Sequence, residues 1–459
     1  MGERLSTLDA SFLYLEEPDT PMHVSGVLIL DKPPGGMDAL AKLVEARLSL
    51  VPRYRQRVAE VPGHLANPVW VDDPDFDIAY HVRRSGLPRP GTENQLLDVV
   101  SRLTSRPLDR SRPLWEAYLV EGLTGNRVAV VTKTHPALVD GLSAIDLGQV
   151  LLDVAPDAPA PEPIEWRPRR VPSGRQLLVQ ALDEYARRPS AIVDTALGAV
   201  TDVRATAARL TGVAGGLLRT ARSTILSAPH SPLNTSIGRQ RRVAVARAEL
   251  ADVKRIRKGQ GGTVNDVLLT VVTGALREWL LSRGEPVVAG TSVRALVPVS
   301  LQDDDSSRGD RVSSYLVDLP VGEPNPRVRL TRLSYAMRGV AAHGQSVSAD
   351  NLIALTGFAP PTLHALGARA ARGLSRRLFN LVVTNVPGPQ VPLYAAGSQM
   401  LEVFPFVPLA RGQGLSIGMT SYNGRVFFGL NADRDSVGDV DVLADLIEQE
   451  VGELAETAS

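Results

Sequence analysis

A chain of 459 residues is longer than one hydrophobic core usually needs, so two large domains are expected. Its 50 basic and 50 acidic residues cancel, which leaves no general field to hold nucleic acid. The absence of cysteine excludes disulfides, thiolate metal sites and a cysteine nucleophile.

The first 150 residues mix strand and helix signals. Residues 24–30 are aliphatic and β-branched before a Lys-Pro-Pro-Gly-Gly turn, so they predict a strand. Residues 37–50 carry apolar side chains at helical spacing and stop before Pro52. A second helix is expected over 94–103, and a short buried strand over 128–132 leads almost directly into His135. Asp140 and Ser143 are both fitted to cap a helix running to about Asp153. Residues 155–174 then hold six prolines and few large apolar side chains, which forbids a helix or central strand. The first domain is therefore expected to end at 154. Residues 155–240 form a proline-rich linker with two or three connecting helices.

The second domain is expected over 241–459. Strands are predicted at 243–246, 292–299, 380–383, 415–421 and 425–430, the last two joined by an Asn423-Gly424 hairpin turn. Helices are predicted at 265–282 and from about 439 to 454. Strands and helices alternate irregularly, without the βα rhythm of a barrel, so two α/β domains with mixed sheets are expected. The N-terminus lacks a basic region before an apolar run, and no apolar run of about 18 residues occurs. The protein is expected to be cytoplasmic, either soluble or peripheral to a membrane.

The chemistry concentrates at Lys133-Thr134-His135-Pro136-Ala137-Leu138-Val139-Asp140-Gly141. A strand ends, a histidine appears and an Asp-Gly pair opens the next helix. This segment resembles the His-His-x-x-x-Asp-Gly motif of acyltransferases related to chloramphenicol acetyltransferase and to peptide synthetase condensation domains. Further segments resemble, in order, one branch of that superfamily. They are Leu5-Ser6 through Leu8-Asp9 with Pro21-Met22-His23, and Arg112-Pro113-Leu114-Trp115-Glu116. Val264-Asn265-Asp266-Val267, Pro298-Val299-Ser300 and Asn385-Val386-Pro387-Gly388-Pro389 follow. The branch is the bacterial wax ester synthase/diacylglycerol O-acyltransferase family. The resemblance implies two chloramphenicol-acetyltransferase-like domains and transfer of a long-chain acyl group from acyl-CoA to a diacylglycerol or fatty alcohol. Acyl-CoA is then a substrate and no cofactor or metal is needed. A membrane surface or lipid droplet is the expected workplace.

In that superfamily the second histidine is the general base, a task suited to a side chain whose pKa lies near operating pH. Here the aligned residue is Pro136, which has no titratable group and no backbone N–H. Weak activity is expected. A non-catalytic acyl-CoA or lipid-binding homologue is the alternative. If His135 and Pro136 are both extended, their side chains point to opposite sides and His135 does not fill the empty place. His135 and Asp140 are the catalytic candidates, with Asp140 expected to shape the site. Gly141, Asn265 and Asp266 are candidates for substrate binding. Trp115 is expected to anchor the core, and Arg294 to pair with Asp140 from the other domain. Asn265 also suits a helix N-cap.

A Gly414-Leu415-Ser416-Ile417-Gly418 match to a nucleophile elbow fails on order and context. Its surroundings predict one continuous strand, and the last histidine, His364, precedes Ser416.

Overall fold

The computed structural model describes residues 3–138, 150–159, 166–187, 227–301, 311–343, 347–348 and 378–457. Fifteen strands occur among these residues. The first half holds β1 (Val24–Asp31), β2 (Gln56–Ala59), β3 (Val69–Asp72), β4 (Val82–Gly86), β5 (Trp115–Leu123) and β6 (Arg127–Thr134). The second holds β7 (Arg241–Glu249), β8 (Val293–Leu301), β9 (Arg311–Leu319), β10 (Val347–Ser348) and β11 (Leu381–Pro387). It ends with β12 (Tyr394–Ala395), β13 (Ser398–Phe406), β14 (Leu415–Tyr422) and β15 (Arg425–Asp433). The helices are α1 (Thr7–Leu15), α2 (Gly36–Arg47), α3 (Ile78–His81), α4 (Glu93–Thr104) and α5 (Gly174–Arg187). They continue with α6 (Leu250–Gln260), α7 (Val264–Ser282), α8 (Pro326–His343) and α9 (Val440–Thr457).

Two large mixed sheets and a separate antiparallel β2–β3 pair result among the described residues. The first runs β12-β13-β1-β6-β5-β4 and the second β10-β9-β8-β11-β14-β15-β7. Parallel pairs join β4 to β5, β8 to β11 and β11 to β14; the remaining pairs are antiparallel. Each sheet has its own large apolar core. Helix α7 is buried continuously from Asp266 to Leu276, the pattern of a helix enclosed on all sides.

Two strands, β12 and β13, do not follow the chain's division into halves. β13 lies within 241–459, yet it pairs with β1 in the first sheet. Two glycines let it cross. Gly418 and Gly429 oppose one another on β14 and β15, and a Cβ on Gly429 would come 2.0 Å from the Pro405 carbonyl oxygen. A side chain at that window would push β13 off the sheet. Charge then fastens the crossing: Arg247 on β7 donates to both Glu402 oxygens at 2.8 Å and also reaches Glu93 on α4.

The predicted elements over 24–30, 94–103, 265–282 and 415–421 are present with slightly longer bounds. The helix expected over 37–50 is α helix only to Arg47, and a 3-10 turn carries the chain through Leu50 toward Pro52. At Asn423-Gly424 both residues have positive φ, 44° and 83°, as the tight hairpin between β14 and β15 requires. The described residues between 155 and 174 are exposed or half-buried. Most of the connecting helices expected within 155–240, the helix expected after Asp140, and residues 302–310 lie outside the described residues.

Candidate active site

The site is built from the end of the first sheet. Thr134, the last residue of β6, pairs with Val24 on one side and Trp115 on the other. One step further along the same rows stand His23, His135 and Leu114. The His135 N–H donates to the Leu114 carbonyl at 3.0 Å, which extends the ladder by one bond. Three sequence blocks, up to 112 residues apart, thus meet in one row across three strands.

His135 is the last extended residue. Pro136 opens a 3-10 turn, Pro136–Leu138, that packs under α1. The expected strand-like alternation therefore stops at His135, because proline fixes φ and the chain curls at once. Pro136 is half-buried, whereas His135 is 1% exposed.

The His135 ring is fixed by its own turn. The Ala137 N–H donates to Nδ1 at 3.1 Å, so the neutral ring carries its proton on Nε2. Burial pushes its pKa down to about 4, the Glu16 carboxylate opposes this, and Arg110 adds to it. His135 is therefore neutral at ordinary pH, with its one lone pair already engaged. It is a hydrogen-bond donor through Nε2 and not a free base.

His23 is 2% exposed, and burial holds its pKa well below the usual histidine range. The charges of Lys133, His135 and Arg241 push the same way. The Thr104 backbone opposes them, although neither ring nitrogen reaches a partner with normal hydrogen-bond geometry among the described residues. His135 Nε2, Thr20 Oγ1, Ser25 Oγ and Thr104 Oγ1 are likewise buried without such a partner. Buried polar atoms that lack a direct partner are commonly completed by ordered water or a ligand. Their importance was not legible beyond the Pro21-Met22-His23 match, because only the β1–β6 register brings His23 opposite His135.

Behind this row the strand is held by ions. Lys133, 1% exposed, donates to the Arg106 carbonyl at 2.8 Å and to Glu116 at 3.3 Å. Burial lowers the lysine pKa and the Glu116 charge opposes that shift. The Tyr118 hydroxyl donates to the same carboxylate at 2.8 Å, and burial beside Glu116 pushes its pKa up to about 12.

Trp115 is fully buried, stacks on His81 at 4.7 Å and donates Nε1–H to the Tyr54 carbonyl at 2.7 Å. Asp140 and Gly141 lie outside the described residues. Arg294 directs its guanidinium onto Asp318, 2.6 Å and 3.1 Å away, the residue directly opposite it in the β8–β9 register.

Asn265 is not the N-cap of α7. That role falls to Thr263, whose hydroxyl accepts the Asp266 N–H at 3.1 Å. Asp266 in return accepts the Thr263 N–H at 2.8 Å. Gly261 and Gly262, at φ 87° and 81°, turn the chain so that the cap falls two residues earlier. Asn265 is left to accept from Asn385 Nδ2 at 3.1 Å, which joins two separated sequence blocks. Ser416 lies inside continuous β14, buried, with its hydroxyl donating to the Val407 carbonyl at 2.7 Å, so no nucleophile elbow exists there.

Comparison with known proteins identifies the frame. Residues 5–268 match the wax ester synthase/diacylglycerol acyltransferase catalytic domain, and residues 308–455 match the C-terminal domain of the same enzymes. The chain belongs to the wax ester synthase/diacylglycerol acyltransferase family. A putative diacylglycerol O-acyltransferase of Mycobacterium tuberculosis is 35% identical across 99% of this chain and 90% of its own length. A probable diacylglycerol O-acyltransferase from the same species is 48% identical over 56% of this chain and 96% of its own. The wax ester synthase/diacylglycerol acyltransferase of Marinobacter aquaeolei superposes with a TM-score of 0.69 at 28% identity, covering 99% of both chains. The starter condensation domain of rhizomide synthetase superposes at 0.57 with 14% identity, over 100% of this chain and 94% of that one, which shows the shared condensation-like fold. Within this family frame, no helix of the described residues is long and apolar enough to cross a membrane.

Proposed function

We propose that the protein is an acyl-CoA-dependent O-acyltransferase that esterifies a diacylglycerol or a fatty alcohol at a lipid surface. The observation that carries this reading is the family match along nearly the whole chain, together with an ordered motif frame around His135. In the step proposed, the acceptor oxygen attacks the thioester carbonyl carbon, and the carbon–sulfur bond breaks. The hydroxyl proton passes through water to the departing thiolate, giving ester and free CoA.

Water takes the proton because the aligned base position, Pro136, has nothing to titrate, and the lone pair of His135 is engaged by Ala137. His135 Nε2–H is a donor suited to orient such a water. The Asn265–Asn385 pair supplies amide dipoles at the start of α7, suited to a developing negative charge. Turnover is accordingly slow.

The test is release of CoA thiol and formation of ester by the purified protein, with acyl-CoAs of several lengths and with dioctanoylglycerol or hexadecanol as acceptor. Slow ester formation above the no-protein control is expected. Absence of ester with every pair would overturn the reading.

A further inference from the structure

A cavity of about 280 Å³ opens at the Leu114 end of the histidine row. Leu13, Val58, Pro68 and Leu114 give it apolar walls. Leu114 also joins it to the site, because its carbonyl accepts the His135 N–H at 3.0 Å. Tyr14, Arg57, Glu60 and Arg110 supply its polar side.

The charges select the kind of ligand. Arg110 is already committed: it donates to Glu16 at 3.0 Å and 2.8 Å and to the Leu13 carbonyl at 2.5 Å. Arg57 faces Asp73 at 3.8 Å. Glu60 adds a negative charge to the wall itself. An anionic ligand, such as a phosphate or a free fatty carboxylate, would meet guanidiniums that carboxylates have already claimed, beside a carboxylate that repels it. A neutral hydroxyl suits the place better, because it can donate to a carboxylate and accept from a phenol without competing for the paired guanidiniums. Burial and the Glu60 charge raise the Tyr14 pKa, so its hydroxyl keeps its proton and stays a donor. Size points the same way. The volume is below the roughly 300–1,000 Å³ of sites that enclose a drug-sized molecule, so a headgroup fits and two long chains do not.

We propose that this cavity seats the neutral, hydroxyl-bearing head of the acyl acceptor and presents it to the turn at His135 and Pro136. The proposal rests on the acyltransferase reading for the word acceptor, and on the cavity alone for the binding.

Two variants test it. Val58→Trp fills the cavity from half-buried β2, and Glu60→Gln removes the wall's negative charge at an exposed position. Binding of dioctanoylglycerol and of 1-decanol is measured by calorimetry without acyl-CoA, followed by the kinetics of CoA release. Val58→Trp is expected to weaken binding of at least one acceptor tenfold or more. It should raise that acceptor's KM in proportion and leave the KM for acyl-CoA within twofold. Whichever acceptor loses its binding identifies the head the cavity takes. Glu60→Gln is expected to weaken acceptor binding about threefold and to strengthen decanoate binding. If Val58→Trp does not fold, Glu60→Gln carries the test alone. Unchanged acceptor binding in the folded variants, or a rise confined to the KM for acyl-CoA, would overturn the proposal. Acceptor binding that Val58→Trp abolishes, in a protein that makes no ester, would uphold the cavity and overturn the acyl-transfer reading instead.

Discussion

Two buried polar clusters, one in each half of the molecule, treat their hydrogen bonds in opposite ways. Around Asp433, at the end of β15, the bonds are closed. Its carboxylate accepts from the Gly238 N–H at 2.7 Å, and from the Ser436 N–H and hydroxyl at 3.0 Å and 2.8 Å, with Arg241 at 3.9 Å. Around His23 and His135, at the ends of β1 and β6, several atoms have no such partner among the described residues. A closed cluster holds a fold together. An open one costs stability unless water or a ligand completes it, and such places are where chemistry is done. Arg241 borders both clusters, since its charge acts on His23 while its side chain faces Asp433.

The largest expected effect tests the open cluster. Pro136→His places a titratable ring at the aligned base position, and turnover should rise about 10²- to 10⁴-fold, read as CoA release per enzyme. The same substitution should leave the KM for acyl-CoA nearly unchanged. Turnover that stays at the level of the unaltered protein would mean that the position does not limit the rate.

The closed cluster should respond through stability instead. Asp433→Ala removes the larger of the two carboxylate charges that act on buried Arg241, the other being Asp19, and leaves three donors without their acceptor, a loss of about 3 kcal/mol. Urea unfolding measures it. A loss below about 1 kcal/mol would show that the cluster is rearranged easily.

Titration sharpens the contrast further. His135 binds its proton near pH 4 when folded and near the ordinary value of about 6.5 when unfolded. Between these values the unfolded chain holds more protons, so stability is lost as pH falls from 6.5 towards 4, by roughly 3 kcal/mol in all. Glu450 works against this, because burial pushes its pKa up to about 7 despite Arg329, and the folded state then binds the extra proton. The informative quantity is therefore the difference between the unaltered protein and His135→Gln. That difference should be flat above pH 7 and slope below it. A flat difference throughout would mean that water already solvates the ring.

The smallest expected effect is the most telling about the open cluster. Among the described residues His23 makes no direct hydrogen bond of normal geometry, so His23→Leu should change stability by less than about 1 kcal/mol. A much larger loss would show that ordered water satisfies the ring and that the cluster is closed after all.

Much of the local structure was legible because it obeys local rules. Alternating and aliphatic runs gave β1, β6 and β14, helical spacing gave α4 and α7, and Asn423-Gly424 marked its hairpin. The cap of α7 was misplaced by two residues, since the pull of Gly261 and Gly262 on the preceding turn was not weighed. β13 was missed, although its buried and half-buried residues alternate regularly. The site was legible only as words in order: a histidine, a proline where a base is expected, and the blocks that flank them.

By itself the sequence determined composition, the family frame and the absence of a titratable group at Pro136, because these depend on residue identity alone. Tertiary structure decided what identity cannot. Strand register set His23 opposite His135, since residues 112 places apart meet only through pairing. The turn at Ala137 set which nitrogen of His135 carries the proton. The Gly418–Gly429 window decided that a strand of the second half completes the first sheet. Each of these outcomes depends on distances between atoms far apart in the chain, and such distances exist only once the chain has folded.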